Sequence, residues 1–307
     1  MFSYVIRRLI QSAGVLIGVS LLVFTLVQFI PGGPAMMILG EDATAEQIAM
    51  VNHKLGLDRP LAVQYVDWLA HVCMGDFGKS YQDSRPILPD LLSRMPATLE
   101  LLAAAMLVSI LVGIPVGIIS AIKPDSFFDH IGRFFALIGV SMPSFWIGLL
   151  LILLFAKKLG WLPAVGRDGL ESVIMPALAL GFSMAGILMR MVRSSLLEVL
   201  QEDFLKTARA KGLAETVVIL KHAMRNAILP VITTIALQIG FLMGGSVVIE
   251  TIFAWPGIGR FCYMRMLQRD IPTIMGNLML FAILLCLLNI ITDLLYAAFD
   301  PRIRLSK

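Results

Sequence analysis

Charged residues along this chain are clustered, and six stretches between the clusters contain no Asp, Glu, Lys or Arg: Leu9–Gly40, Leu101–Ala121 with Ile122, Phe134–Ala156, Ser172–Met189, Asn226–Ile249 and Ile271–Thr292. A helix satisfies its own backbone hydrogen bonds in hydrocarbon, and about 20 apolar residues cross a core of about 30 Å. Each stretch therefore predicts one transmembrane helix. The first is too long for a single crossing, and Pro31-Gly32-Gly33-Pro34 ends its helix, since proline lacks the amide donor and glycine weakens helix. Span one is then Leu9–Ile30. The fold class expected is an all-α polytopic membrane protein with six transmembrane helices.

Two connections are too large to be turns. In residues 31–96, Thr44-Ala45-Glu46-Gln47 has the form of a capping box, and Ile48, Val51 and Leu55 follow at helical spacing. Leu61, Tyr65, Trp68 and Val72 make a second apolar stripe, so the segment reads as a small insertion of two amphipathic helices. The other connection, about 194–226, is charged yet periodic, with Leu196, Val199, Leu200, Phe204 and Ala208 at three-to-four spacing. Gly212 lets the chain reverse before a second helical stretch, Ala214–Arg225. The chain thus divides into an N-terminus with helix 1 (1–30), the insertion (31–96) and a five-helix core (97–307).

Composition agrees with a membrane protein. Hydrophobic residues make up 58% of the 307 and charged residues 15%, against about 45–50% and about 25% in soluble domains. Mean hydropathy is +0.85. The net charge of +4 sits between apolar runs, which favours a role in membrane orientation over nucleic-acid binding. With a cytoplasmic N-terminus, 14 Lys and Arg lie inside and 11 outside; leaving out the long insertion, which the positive-inside rule governs poorly, gives 14 against 6. Both termini are expected in the cytoplasm, with the insertion outside. The apolar run after Arg7-Arg8 exceeds the signal-peptide core of about 7–15 residues and is read as a retained helix.

Candidate chemistry is sparse. Gly78-Lys79-Ser80 resembles the end of a phosphate-binding loop, but position 73, where that loop needs glycine, is Cys73. No cofactor is expected on the chain itself. Cys73, Cys262 and Cys286 form no ligand spacing, and His71 with Cys73 is a weak metal pair. The 18 methionines lie mostly in apolar windows as packing. Gln238, Asn277 and Asn289 are polar groups inside spans, candidates for a substrate pathway or for interhelical hydrogen bonds. Asp293 lies near the inner end of span six, where a neighbouring base can pair with it. An ion-coupled secondary transporter would need titratable groups or an ion site within its spans, which this chain almost lacks. A membrane enzyme finds no HExxH, GxSxG or paired carboxylates in a span.

Glu202-Asp203-Phe204 through Thr207-Ala208-Arg209-Ala210-Lys211-Gly212, with Arg225-Asn226-Ala227-Ile228-Leu229-Pro230, resembles the EAA loop of permeases in binding-protein-dependent ABC importers. The chain is most similar to the B-type permease of the dipeptide, oligopeptide, nickel and glutathione group. Further matching segments are Leu55-Gly56-Leu57-Asp58-Arg59-Pro60-Leu61, Gly75-Asp76-Phe77-Gly78, Gly160-Trp161-Leu162-Pro163, Trp255-Pro256-Gly257-Ile258-Gly259-Arg260, Arg269-Asp270-Ile271-Pro272 and Asp300-Pro301-Arg302-Ile303-Arg304. The resemblance implies the ABC importer permease fold in a bacterial inner membrane. It also implies a second homologous permease, two ATPase subunits that bind ATP, and an external solute-binding protein. Glu202–Gly212 would be the coupling helix on the ATPases, with Glu202, Asp203, Arg209 and Lys211 for polar contacts and Ala208, Ala210 and Gly212 for close packing. Di- or oligopeptides are the cargo it implies, with nickel, a metal chelate or glutathione as alternatives.

Overall fold

The computed structural model describes the backbone of residues 2–29, 35, 36, 39 and 43–299, and side chains within residues 6–292 of these. Pro31-Gly32-Gly33-Pro34 and Asp300–Arg304 lie outside the described residues, as does the side chain of Asp293. The helices are α1 (Phe2–Gln28), α2 (Ala45–Lys54), α3 (Leu61–Cys73), α4 (Ile87–Ile122), α5 (Phe127–Ser141), α6 (Ser144–Lys158), α7 (Leu170–Val199), α8 (Asp203–Ala210), α9 (Glu215–Ile252), α10 (Ile258–Leu267) and α11 (Ile271–Phe299). Among the described residues no strand forms, and one isolated antiparallel bridge joins Lys79 to Pro86.

Five of these helices, α1, α4, α7, α9 and α11, are long and apolar enough to cross a membrane, and the pair α5 and α6 makes a sixth crossing if counted as one broken span. The apolar stretch Phe134–Ala156 is thus not one continuous helix: its two halves meet at an angle of 107°. The cause is local. Proline crowds the residue before it out of the helical region, and Met142 sits at φ −93°, ψ 131°, with Pro143 capping the next helix at ψ 139°. Elsewhere the helices overrun their charge-free windows. α4 begins at Ile87 and α7 runs to Val199, because absence of charge marks the hydrocarbon portion of a helix and not its ends.

By its internal contacts the chain divides into two units, Met1–Pro96 with Gly257–Ile290, and Ala97–Pro256 with Ile291–Lys307. In the first, the capping box forms: the Gln47 amide donates to Thr44 Oγ1 at 3.3 Å and the Thr44 amide to Gln47 Oε1 at 2.9 Å. α3 lies on α1 through the rings of Phe24, Tyr65 and Trp68, whose centroids are 5.5–6.4 Å apart, and through a 2.9 Å hydrogen bond between the Tyr65 and Ser20 hydroxyls. The buried core of this unit gathers Val72, Phe77, Ile87, Leu91, Ile258, Phe261, Met279 and Leu280.

In the second unit α7 is the central helix, with Leu188, Val192 and Leu196 fully buried. Helices in lipid gain little from apolar burial against one another and rely on close approach. Glycine provides it here: a Cβ on Gly181 would lie 2.5 Å from the Ala105 carbonyl of α4, and one on Gly186 would lie 2.7 Å from the Ala136 carbonyl of α5.

Candidate functional site

The charged connection folds as α8 and the turn after it. Leu205 and Ala208, three residues apart, point the same way and are buried among Ala121, Leu196, Val218, Ile219, Ala223 and Ala227. These residues come from the ends of α4, α7 and α9, so the short helix is seated on three membrane helices at once. Its other face carries Asp203, Lys206, Thr207, Arg209 and Ala210, all exposed, flanked by exposed Glu202 and Lys211. Asp203 pairs with Lys206 at 2.7 Å. Arg209 clasps Glu215 with two hydrogen bonds of 3.1 and 2.8 Å, closing the turn between α8 and α9. Ala208, taken from the sequence as a packing surface for a partner, instead packs on this chain's own core, while Ala210 stays exposed.

Gly212 occupies the turn at φ +74°, and a Cβ there would meet nothing within 4 Å. Its constraint is backbone conformation, not space. Gly212→Val is therefore expected to destabilise this turn severely, since β-branched residues resist positive φ, whereas Gly212→Asn retains it. Equal hydrogen exchange at the turn amides in the two variants would count against this reading. After Gly212 the chain enters α9 through a π-helical turn, Val218–Ala223, that runs directly into the membrane-crossing part.

A buried ion pair on the same unit escaped the sequence reading. Asp129, on the first turn of α5, has no exposed surface and accepts from Arg193 of α7 at 2.8 Å through each carboxylate oxygen, with Arg133 at 3.5 Å. Ser126 caps this helix by accepting from the Asp129 amide at 3.3 Å. Ser195 of α7 donates to the Ala227 carbonyl of α9 at 2.9 Å. These bonds tie α5, α7 and α9 together near α8.

Of the three polar residues proposed for a pathway, Gln238 belongs to the second unit and Asn277 and Asn289 to the first. Gln238 is buried, donates to the Met184 carbonyl at 3.0 Å and accepts from Ser109 at 3.2 Å, which makes it an interhelical tie. Asn277, in the other unit, is fully buried and donates to the Ile258 carbonyl at 3.1 Å, and Asn289 is exposed on α11. A cavity of about 310 Å³ opens instead at the break between α5 and α6, lined by Ser141, Pro143, Ser144, Ser183, Met184 and Phe241. Interrupted backbone at membrane depth is tolerated where it is buried or faces a polar cavity. Gln238 stands behind this one through its bond to Met184.

In the first unit, the segment Arg269-Asp270-Ile271-Pro272 meets the loop after α3 at Asp270. This buried carboxylate accepts from Ser80 Oγ at 2.6 Å, the Tyr81 amide at 3.0 Å and Thr273 Oγ1 at 2.7 Å. Arg265 lies 3.5 Å away and also bonds Asp83 at 2.7 Å, a contact that holds the Asp83 carboxyl down at about 2. In the second unit Trp255 is fully buried and donates to the Ala97 carbonyl at 2.7 Å, and Arg167 bonds Glu100 at 2.8 Å. Among the described residues no three His, Cys, Asp or Glu side chains gather as a metal site, and His71 Nδ1 is engaged with the Asp67 carbonyl at 2.8 Å.

A short amphipathic helix seated on the ends of three long apolar helices, with a charged outer face, stands out among the described residues. The chain belongs to the family of binding-protein-dependent transport system inner membrane components, whose model matches residues 113–305, and the N-terminal model of the same system matches residues 1–102. It is 44% identical to the glutathione transport system permease protein GsiC of Salmonella typhi, over 99% of both chains. It is 43% identical to GsiC of Escherichia coli (strain K12), over 99% of both, and 41% identical to the dipeptide transport system permease protein DppB of Alkalihalophilus pseudofirmus, over 99% of this chain and all of that one. Among solved structures, an inward-facing conformation of the MetNI methionine ABC transporter matches with a TM-score of 0.58, 20% identity, and coverage of 71% of this chain and 99% of that one. An amino acid ABC transporter with histidines matches at 0.52 and 14% identity, over 70% and 94%. At these identities the structural likeness concerns the fold. The chain is thus a permease subunit of an ABC importer, a multi-pass inner-membrane protein and a transport component, not an enzyme. Such permeases work with ATPase subunits and a solute-binding protein.

Proposed function

We propose that this chain and a second, homologous permease form the pathway by which short peptides, glutathione among them, are drawn inward by two ATPase subunits that seat on Glu202–Gly212. The observation that carries this reading is the seating of α8. Leu205 and Ala208 hold it on the ends of α4, α7 and α9, while its charged face is turned outward. A short rigid helix so placed moves when its partner moves, and passes the displacement to three membrane helices at once. ATP then acts by favouring one packing of those helices over another. ATP is bound by the partner subunits, and this chain carries no cofactor.

The cargo class rests on relatives named for glutathione and dipeptide transport. Both are small, flexible molecules bearing amide and carboxylate groups. The serine-lined cavity at the broken helix offers hydroxyls suited to amides.

The orientation proposed puts both termini and α8 in the cytoplasm, and α2 and α3 outside. A reporter fused after Gly78 is expected to be active outside and one fused after Gly212 inside; the opposite pattern removes the reading. With the complete importer in proteoliposomes, labelled dipeptide or glutathione should accumulate only when ATP and the binding protein are both present. Accumulation driven by a proton or sodium gradient without ATP would sink the proposal.

A further inference from the structure

The first unit holds a cavity of about 470 Å³ that the coupling site does not use. We propose that it is a receiving site for the C-terminal carboxylate of the cargo, an assignment of ligand that rests on the reading of the cargo as a short peptide.

Three segments far apart in sequence, each singled out by its motif, line this one cavity. Leu55, Gly56, Leu57 and Arg59 come from the turn between α2 and α3, Asp76, Phe77 and Gly78 from the loop after α3, and Ile271 and Pro272 from the start of α11. Lys54, Arg59 and Lys79 bring three cations to it, all exposed and none paired with a carboxylate among the described residues. Two carboxylates, Asp67 and Asp76, stand on the same wall. Asp76 Oδ1 accepts the Gly78 amide at 2.9 Å, and Asp67 lies 3.9 Å from His71. Three cations against these two carboxylates leave positive charge in excess by one where a ligand would sit.

The walls are held before any ligand arrives. Gln64 donates to the Leu57 carbonyl at 3.0 Å and the Arg59 carbonyl at 2.8 Å, pinning the first turn to α3. The Arg59 side chain folds over Gly56, whose φ is +68°, so closely that a Cβ there would lie 3.3 Å from its Nε. Asp270 fixes Ser80 and Tyr81 beside Lys79. Preorganised cations lose less on binding than mobile ones.

Size and lining select the ligand. Small-molecule sites run to about 300–1,000 Å³, so this cavity fits an organic molecule and far exceeds a single inorganic ion. Trp68 and Phe77 supply apolar walls for its body. A carboxylate forms an ion pair as well as hydrogen bonds with Lys and Arg, whereas a peptide amidated at its C-terminus keeps only the hydrogen bonds.

The test uses the complete importer in phosphatidylcholine nanodiscs, without nucleotide or binding protein, and equilibrium dialysis of labelled glutathione, a free dipeptide, the same dipeptide as its C-terminal amide, and inorganic phosphate. Saturable binding of glutathione and the free dipeptide is expected, with the amide weaker by about tenfold. A Lys54→Gln, Arg59→Gln, Lys79→Gln variant should lose the same factor for the free acid and nothing for the amide. Lys79→Gln alone, whose backbone bridge to Pro86 needs no side chain, gives a partial loss if the triple variant is unstable. Equal binding of acid and amide overturns the proposal. So does phosphate binding as tightly as peptide, or peptide binding that vanishes when phosphatidylglycerol replaces phosphatidylcholine, since the anion is then free phosphate or a lipid headgroup. Intact, cation-dependent carboxylate binding in an importer that takes up no peptide supports the site while removing the proposed cargo.

Discussion

ATP-driven uptake is expected to fall to background in a Leu205→Asp variant that still inserts in the membrane. Leu205 has no exposed surface and packs with Leu196, Val218 and Ile219. An ionised carboxylate placed there is unpaired, at a cost of several kcal/mol. α8 has eight residues, too few to persist as a helix without its seat, since isolated helices below about 12–15 residues are marginal. The helix therefore leaves the three membrane helices, and displacement at its outer face no longer reaches them. Insertion is unaffected because the apolar spans that direct it lie elsewhere. Leu205→Met, which conserves volume, should retain most uptake. ATPase activity of the purified complex, measured beside vesicle uptake, separates uncoupling from loss of assembly, and normal uptake by Leu205→Asp would refute the proposed coupling.

The second large effect is expected on stability. Asp270→Ala removes the acceptor for Ser80, the Tyr81 amide and Thr273 and leaves Arg265 with less compensation. Breaking a buried charge arrangement of this kind costs on the order of 3–5 kcal/mol. Hydrogen exchange at the Tyr81 amide is the direct readout and should accelerate by orders of magnitude. Asp270→Asn is a sharper case. Its three partners are all donors, so the amide nitrogen must face at least one of them, and the Tyr81 N–H cannot reorient as a hydroxyl does. Protection at Tyr81 equal to that of the unsubstituted protein in both variants would show that Asp270 does not hold the loop.

The parts legible in the sequence were those with a local signal. Runs without charge located the crossings, Thr44 and Gln47 announced a helix start, and Gly212 announced a reversal that its φ of +74° bears out. The parts that were not legible depend on partners distant along the chain. Asp129 and Arg193 are 64 positions apart and Ser80 and Asp270 are 190 apart, and neither residue of a pair betrays the other. Pro143 was visible but ambiguous, because proline in an apolar helix can bend it, break it or do little. Ala208 shows the same difficulty on a smaller scale. A small residue signals close packing, but only the fold says against what, and here it is Leu196 and its neighbours in the same chain.

The wide turn at Val218–Ala223 has an evolutionary corollary. A π-turn holds one residue more than the α-turn it replaces. Because the extra residue is taken up locally, deleting one residue within it would restore regular helix and leave α8 on its seat. The segment thereby tolerates a one-residue change in chain length that a regular helix would pass on to α8 as a rotation of about 100°.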